Sequence, residues 1–434
     1  MAKKFISFLG TNAYLHTIYT LDKYKSEPVR YIQEALAQYL CKDWGESDKI
    51  AIFATMGENG SIEKNWKSGQ ISKFNKYGQE FEKEPKGLND RLKNLDLKCN
   101  IEMVEIPDGI LENEIWKIIE AIDNQVEQDD KLYIDITNSF RYIPMIIPAM
   151  ITFLKTTKNI ELKAIYYGAF EVLGSPQDST SIPLQKRIAP IRELIEIYKM
   201  IEWSEATNAF LKYGSGQRLI EQIDSIDQTN MDKKTQRIFT PLKNNINKID
   251  DALKFNNVTE LKKLQNPKNS KNIDLDKNPN LFALKNLLPK IDEFTTQWNN
   301  NEVINGLFAA DWCLKNDRFA QALTFSQEAL ISYFCKLFDW DSQNIEHRSS
   351  VSFVIQIALG KKEINEHSKK DKSWFKDNID DILLKLSKID REILEDFLKI
   401  NYWRNIVNHA KQGDRKNMQK EFPFILDNLI KYFL

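Results

Sequence analysis

Along the first third of the chain, short apolar runs alternate with stretches whose apolar residues recur every three or four positions. Phe5-Ile-Ser-Phe-Leu9 is ended by Gly10-Thr11-Asn12, and Ile50-Ala-Ile-Phe53 by Ala54-Thr55-Met56-Gly57. Ile101 to Ile106 and Leu132 to Ile136 are two more runs of this kind. Short apolar runs closed by turn residues predict strands. Between them, Val29 to Leu40 (through Ile32, Leu36 and Leu40) and Ile110 to Val126 carry the helical period. Strands alternating with helices predict a parallel sheet with helices on its faces, and ligands then lie beyond the carboxyl ends of the strands.

After residue 190 the pattern is helical alone. Ile191 to Leu211 and Leu219 to Ile226 read as helices, with Gly214-Ser215-Gly216 as the break between them. Residues 254 to 280, rich in Lys, Asn and Asp with Pro267 and Pro279, read as a loop or connector. Phe319 to Phe338 is a long helix with Leu323, Leu330, Phe334 and Leu337 on its buried side. Near the C-terminus Trp403, Ile406, Val407 and Ala410 form the stripe of an amphipathic helix, stopped by Gly413. The expected class is α/β plus all-α. Its expected divisions are an α/β domain over 1–185, a helical connector over 186–300 and an all-helical domain over 301–434.

Composition narrows the function less than the pattern does. The 434 residues are 42% hydrophobic and 28% charged, as in an ordinary globular protein. Lys plus Arg (61) nearly cancels Asp plus Glu (62), so any nucleic-acid contact must come from a local patch. The apolar run Phe5 to Leu9 is short for a signal peptide, and Ile143 to Leu154, with Pro144 and Pro148, is short for a membrane span. No membrane partner and a cytoplasmic location are expected. Cys41, Cys99, Cys313 and Cys335 are scattered, with neither Cys-x-x-Cys nor His-Glu-x-x-His, so no metal site is expected.

Opposite the C-terminal apolar stripe stand Arg404, Asn405, Asn408 and His409. Asn405 and His409 are one turn apart, as are Arg404 and Asn408, so a guanidinium, two carboxamides and an imidazole share one patch. Metal-free cleavage of RNA by the ribose 2′-OH calls for a base, an acid and a cation, which such a patch can supply. Histidine moves protons near neutrality, and arginine stabilises charge on the phosphate oxygens. One chain supplies one such pair, so a complete site calls for two copies across a two-fold axis. A solvated helix face is the competing reading, and spacing alone leaves both open. Glu328, in the 319–338 helix, is a candidate to hold Arg404 or His409, or else an exposed acid. The cations and aromatics of Lys361-Lys362 and Lys369 to Lys376 fit a single-strand RNA track or a solvated loop.

Two loops after strands carry the other candidate chemistry. Gly10-Thr11-Asn12 offers a small residue, a hydroxyl and a carboxamide. Thr137-Asn138-Ser139-Phe140-Arg141 adds a cation and an aromatic face. Such groups suit phosphate, ribose or a stacked base, or they merely cap the helix that follows. No Gly-x-Gly-x-x-Gly and no Gly-x4-Gly-Lys-[Ser/Thr] follows these strands, which disfavours a dinucleotide-dependent metabolic enzyme.

The opening Phe5 to Asn12, the Tyr31 to Leu40 helix and Asp135-Ile-Thr-Asn-Ser-Phe-Arg-Tyr-Ile-Pro144 resemble the sensor half of CRISPR-associated CARF–HEPN ribonucleases. The last is similar to that family's Asp-x-Thr-His-Gly-x-Arg element, with Asn138 and Ser139 where the family has His-Gly. Glu202 to Gly214 resembles the segment leaving the sensor. Arg404, Asn405 and His409 match the family's Arg-x4-His pattern. The resemblance implies a Rossmann-like CARF domain, a helical connector and an all-helical HEPN domain, working as a homodimer in type III CRISPR antiviral defence. It also implies a cyclic oligoadenylate as activator, cyclic tetra-adenylate favoured over cyclic hexa-adenylate, held by Gly10 to Asn12 and Thr137 to Arg141. Single-stranded RNA would be cut by Arg404, Asn405 and His409, with no cofactor. The alternative is a non-catalytic nucleotide-responsive module that recruits RNA or a partner protein.

Overall fold

A computed structural model describes the chain except for residues 71–84, 139–141, 230, 260, 262–263, 265–272, 364–377, 410–412 and 414. Its contacts divide it into two units, Met1–Lys199 and Met200–Leu434.

The first unit runs β1 (Lys3–Leu9), β2 (Ile18–Leu21), β3 (Tyr24–Lys25), α1 (Ile32–Leu40), β4 (Lys49–Thr55), α2 (Leu88–Lys93), β5 (Asn100–Ile106), α3 (Glu112–Asn124), β6 (Lys131–Asp135), α4 (Ile143–Lys158), β7 (Glu161–Gly168), α5 (Pro176–Ser181) and β8 (Ile188–Glu193). The eight described strands form one sheet in the order β3-β2-β8-β7-β6-β1-β4-β5. The five from β5 to β7 in that order are parallel to their neighbours, while β8 runs antiparallel to β7. From β1 the chain steps to β4 and β5 on one side, then returns to β6 and β7 on the other. The order therefore reverses between β1 and β6, the place where open α/β sheets bind ligands. In both β1 and β4 every residue after the first is buried, as expected for strands covered on both faces.

Two sequence expectations change here. The helix read from Ile191 begins at Ile195, because Ile188–Glu193 is a strand whose Ile191 and Arg192 pair with Gly168 and Tyr167. The helix read from Val29 begins at Ile32, because Val29 exchanges backbone hydrogen bonds with Thr17 at 2.8 and 3.0 Å. In both cases a strand partner distant in sequence outweighs local periodicity.

The helical region runs α6 (Ile195–Tyr213), α7 (Gln217–Asp224), α8 (Lys233–Lys254), α9 (Phe282–Thr296), α10 (Glu302–Lys315), α11 (Phe319–Leu337), α12 (Ile345–Ala358), α13 (Ile379–Leu386), α14 (Arg391–Asn408) and α15 (Arg415–Phe433). One hydrophobic cluster extends from Trp203 to Leu429, and Val258, Leu261 and Ile273 of the stretch read as a loop are buried in it. α10 and α11 pack closely because Gly306 has no side chain; a Cβ there would lie 2.7 Å from that of Ala329. The Rossmann-like parallel sheet is followed by helices alone, as the sequence pattern predicts. No helix among the described residues is long and apolar enough to cross a membrane.

Candidate functional site

The first candidate site lies where the sheet order reverses. Gly10 to Asn12 leave β1, and Thr137 and Asn138 leave its neighbour β6. Ser139, Phe140 and Arg141, expected to continue this lining, lie outside the described residues. The two loops touch at Gly10. A Cβ there would fall 3.2 Å from the Asn138 carbonyl oxygen and 2.6 Å from the Tyr14 hydroxyl.

Beneath the loops, β6 and β1 meet at one carboxylate, and β7 joins them through Thr137. Asp135, fully buried at the end of β6, accepts from the Ser7 hydroxyl of β1 at 2.7 Å. Its other oxygen accepts from the Thr137 N–H at 3.0 Å and hydroxyl at 2.5 Å. Thr137 Oγ1 in turn accepts from the Gly168 N–H of β7 at 2.8 Å. Burial raises the Asp135 pKa above the ordinary carboxylate value, and the Thr137 and Ser7 hydrogen bonds partly offset it. The Thr137 hydroxyl thus braces the loop from below, and it does not cap α4, which begins after Tyr142 without a side-chain cap.

The carbonyls of the Gly10 loop are tied inward. Asn65, fully buried on the π-helical turn Ile62–Lys67, donates its amide to the Gly10 and Asn12 carbonyls, both at 2.9 Å. Gln70 donates to the Thr11 carbonyl at 2.8 Å. Burial pushes the Tyr14 hydroxyl pKa upward, so it remains a neutral group against Gly10. With its acceptors spent, the loop presents the Thr11 and Asn12 side chains, a lining that favours an anionic or hydroxyl-rich ligand. Asn65 and Gln70 escaped sequence reasoning because they lie more than fifty residues from the loop they tie down, and Tyr14 because a buried tyrosine carries no signal of the backbone it packs against. The bracing of Thr137 by Asp135 was visible in principle, as an Asp bonding two residues onward.

The second candidate site is the end of α14. Ile406 and Trp403 are buried, while Asn405, Asn408 and His409 are exposed, as the amphipathic pattern predicts. The described helix stops at Asn408, with the His409 N–H capping on the Asn405 carbonyl at 3.1 Å; Ala410 lies outside the described residues. Arg404 is half-buried. Its Nη1 lies 3.5 Å from the Asn405 carboxamide oxygen, and its Nε is buried with no hydrogen-bond partner among the described residues. Glu328 does not hold Arg404 or His409: it forms an ion pair with Arg348 of α12. That arginine also donates to the Ser342 carbonyl at 3.0 Å.

What steadies this helix is amide chemistry one turn earlier. Gln327 of α11 donates to Asn401 Oδ1 at 2.5 Å, and Asn401 donates to Ser352 Oγ of α12 at 3.2 Å. Tyr402, 64% exposed, stands on the same stripe as Asn405 and His409, at i, i+3 and i+7. An exposed aromatic ring on the stripe of an imidazole has the kind of face on which a nucleobase can stack. Its signal in the sequence is faint, since an exposed tyrosine looks like any other residue on a polar face. The Lys369 to Lys376 run lies outside the described residues. Among the described residues, no group of three or more His, Cys, Asp or Glu is placed to hold a metal ion.

Comparison with known proteins gives two findings. A family profile described as the second domain of CRISPR-associated protein MJ1674 matches residues 199–302. The chain is also similar to CRISPR-associated protein MJ1674 of Methanocaldococcus jannaschii, 24% identical over 343 residues, which cover 76% of this chain and 48% of that protein. The chain spans about half the length of the curated relative it matches.

Proposed function

We propose that this chain acts in CRISPR defence as a metal-independent single-stranded RNA endoribonuclease switched on by a cyclic oligoadenylate. The observation that carries the reading is the exposed end of α14, where Arg404, Asn405 and His409 share one patch over a buried apolar stripe. The similarity to a CRISPR-associated protein supports the biological setting.

The division of labour follows the sequence, with sensing over 1–185, connection over 186–300 and cleavage over 301–434. The activator, cyclic tetra-adenylate in preference to cyclic hexa-adenylate, binds at the reversal between β1 and β6, against Gly10, Thr11, Asn12 and Thr137 to Arg141. Two copies of the chain form a homodimer, which supplies two imidazoles and two guanidiniums. Binding shifts the dimer toward the productive arrangement of the two patches, which requires that the ring bind that state better. His409 moves protons between the 2′-OH and the leaving 5′-oxygen. Arg404 stabilises charge building on the phosphate, and Asn405 positions the phosphate or the imidazole. The product is a 2′,3′-cyclic phosphate.

The test is cleavage of a fluorophore-quencher RNA in EDTA with no activator, cyclic tetra-adenylate or cyclic hexa-adenylate, comparing wild type with His409→Ala. Cleavage that depends on one ring and on His409 supports the reading. A 5′-phosphate product overturns the mechanism. Ring binding with no RNA loss in any lane replaces it with the non-catalytic binding module.

A further inference from the structure

We infer that a cavity beside the α14 patch is a nucleobase subsite that selects which RNA sequence is cut, favouring an amino-bearing base over uracil. This inference rests on the proposed ribonuclease reading and adds a specificity determinant to it. The cavity, 430 Å³, is lined by α14 (Ile406, Val407), α15 (Arg415, Met418, Gln419) and the turn into α11 (Asp317 to Gln321).

Its position links it to the reaction. Ile406 and Val407 lie within the six residues Arg404 to His409. Val407, which lines the cavity, is three residues after Arg404 and so neighbours it on the surface of α14. A volume of several hundred Å³ admits a flat heteroaromatic ring.

Its lining matches such a ring in kind. Phe319, Val407 and Met418 supply apolar lining, Gln419 adds a carboxamide, and the carboxamide of Gln321, which also lines the cavity, donates to the Leu253 carbonyl at 3.4 Å. Of its two arginines, Arg318 is already committed: it donates to the Tyr213 carbonyl at 3.0 Å and its guanidinium lies 5.7 Å from the Trp312 ring centroid. Arg415 is exposed and has no such engagement among the described residues, so it is left for a phosphate or the face of a base. Asp317, also exposed, is an acceptor without a donor function. A carboxylate accepts from the exocyclic amino group of adenine, cytosine or guanine and meets only carbonyl oxygens and a single ring N–H on uracil. A site built to hydrogen-bond a group discriminates strongly against a ligand that lacks it.

The experiment uses the full chain with the activating ring and single-stranded RNAs that differ at one nucleotide beside the mapped cleavage position. Wild type is expected to cut amino-base contexts about tenfold faster than uridine contexts. Asp317→Asn is expected to narrow that ratio to about threefold or less, and Gln321→Ala/Gln419→Ala to lower kcat/KM about tenfold, mainly through KM. In parallel, saturation-transfer NMR with adenosine and uridine 5′-monophosphates reads the subsite independently of cleavage. Adenosine binding that Asp317→Asn weakens supports the subsite even if no RNA is cut, a result that would sink only the ribonuclease reading. Active wild type whose base profile is unmoved by these variants overturns the subsite. So does a shift in the monomer–dimer balance by sedimentation without a change in profile, which would make the cavity a contact for a second copy. Absence of monophosphate binding together with absence of cleavage also overturns it.

Discussion

Ser7 donates its hydroxyl to the Asp135 carboxylate at 2.7 Å, from opposite positions on two parallel strands that flank the reversal of the sheet. Because the same carboxylate also holds Thr137, the loop leaving β6 is anchored to the strand whose own loop faces it. Asp135→Ala removes the acceptor of the buried Ser7 hydroxyl and of the half-buried Thr137 N–H. Urea denaturation is expected to show a loss of about 2–4 kcal/mol, and Ser7→Ala a loss of about 1–2 kcal/mol. Equal effects near zero would mean that the network is decorative.

Gly10 sets the clearance between the two loops. Gly10→Ala places a methyl group against the Tyr14 hydroxyl and the Asn138 carbonyl, so the loops must part. Calorimetric titration with cyclic tetra-adenylate is expected to show binding weakened about tenfold, or roughly 1.4 kcal/mol. Unchanged affinity would remove the β1–β6 crevice as the ring site.

Arg404 is expected to act through its planar fork as well as its charge. Arg404→Ala is expected to lower kcat by about a thousandfold, and Arg404→Lys, which keeps only a point charge, by about tenfold to a hundredfold. Single-turnover cleavage with saturating ring checks both. A lysine variant as dead as the alanine variant would point to a packing role for the half-buried side chain.

Tyr402 is expected to contribute a stacking surface. Tyr402→Ala should raise KM for RNA by about fivefold to tenfold, or 1–1.4 kcal/mol, while Tyr402→Phe stays near wild type. Ring affinity and melting temperature should be unmoved in both. An equal loss in the alanine and phenylalanine variants would assign the role to the hydroxyl instead of the ring.

Asp396 gives the helical unit a pH signature. It is buried on α14 with one carboxylate oxygen unpartnered among the described residues; burial pushes its pKa up to about 6, and Lys399 only partly opposes this. The folded state therefore binds a proton that the unfolded chain releases near pH 3.9. Stability from this group is full at low pH, falls as pH rises from about 4 to 6, and stays lost above that window. Asp396→Asn should exceed wild type by on the order of 2 kcal/mol at pH 7.5 and converge with it near pH 4. Parallel curves across that range would exclude a titrating Asp396.

Strands β1, β4, β5 and β6, helices α1 and α3, and the polar turn from Arg404 to His409 were legible in the sequence, whereas β2, β3, β7 and β8 were not. The legible features rest on periodicity, which is a local property: a strand buried on both faces is a continuous apolar run, and an exposed helix end is a polar stripe beside an apolar one. Tertiary structure alone decided the rest. Asn65 meets the Gly10 and Asn12 carbonyls across more than fifty residues, Glu328 turns to Arg348 instead of Arg404, and Ile188–Glu193 becomes a strand because β7 lies beside it. Each of these is a pairing between groups far apart in the chain. A hydrogen bond, an ion pair or a strand edge is specified by what packing brings within about 3 Å, and no residue's neighbours in sequence carry that information.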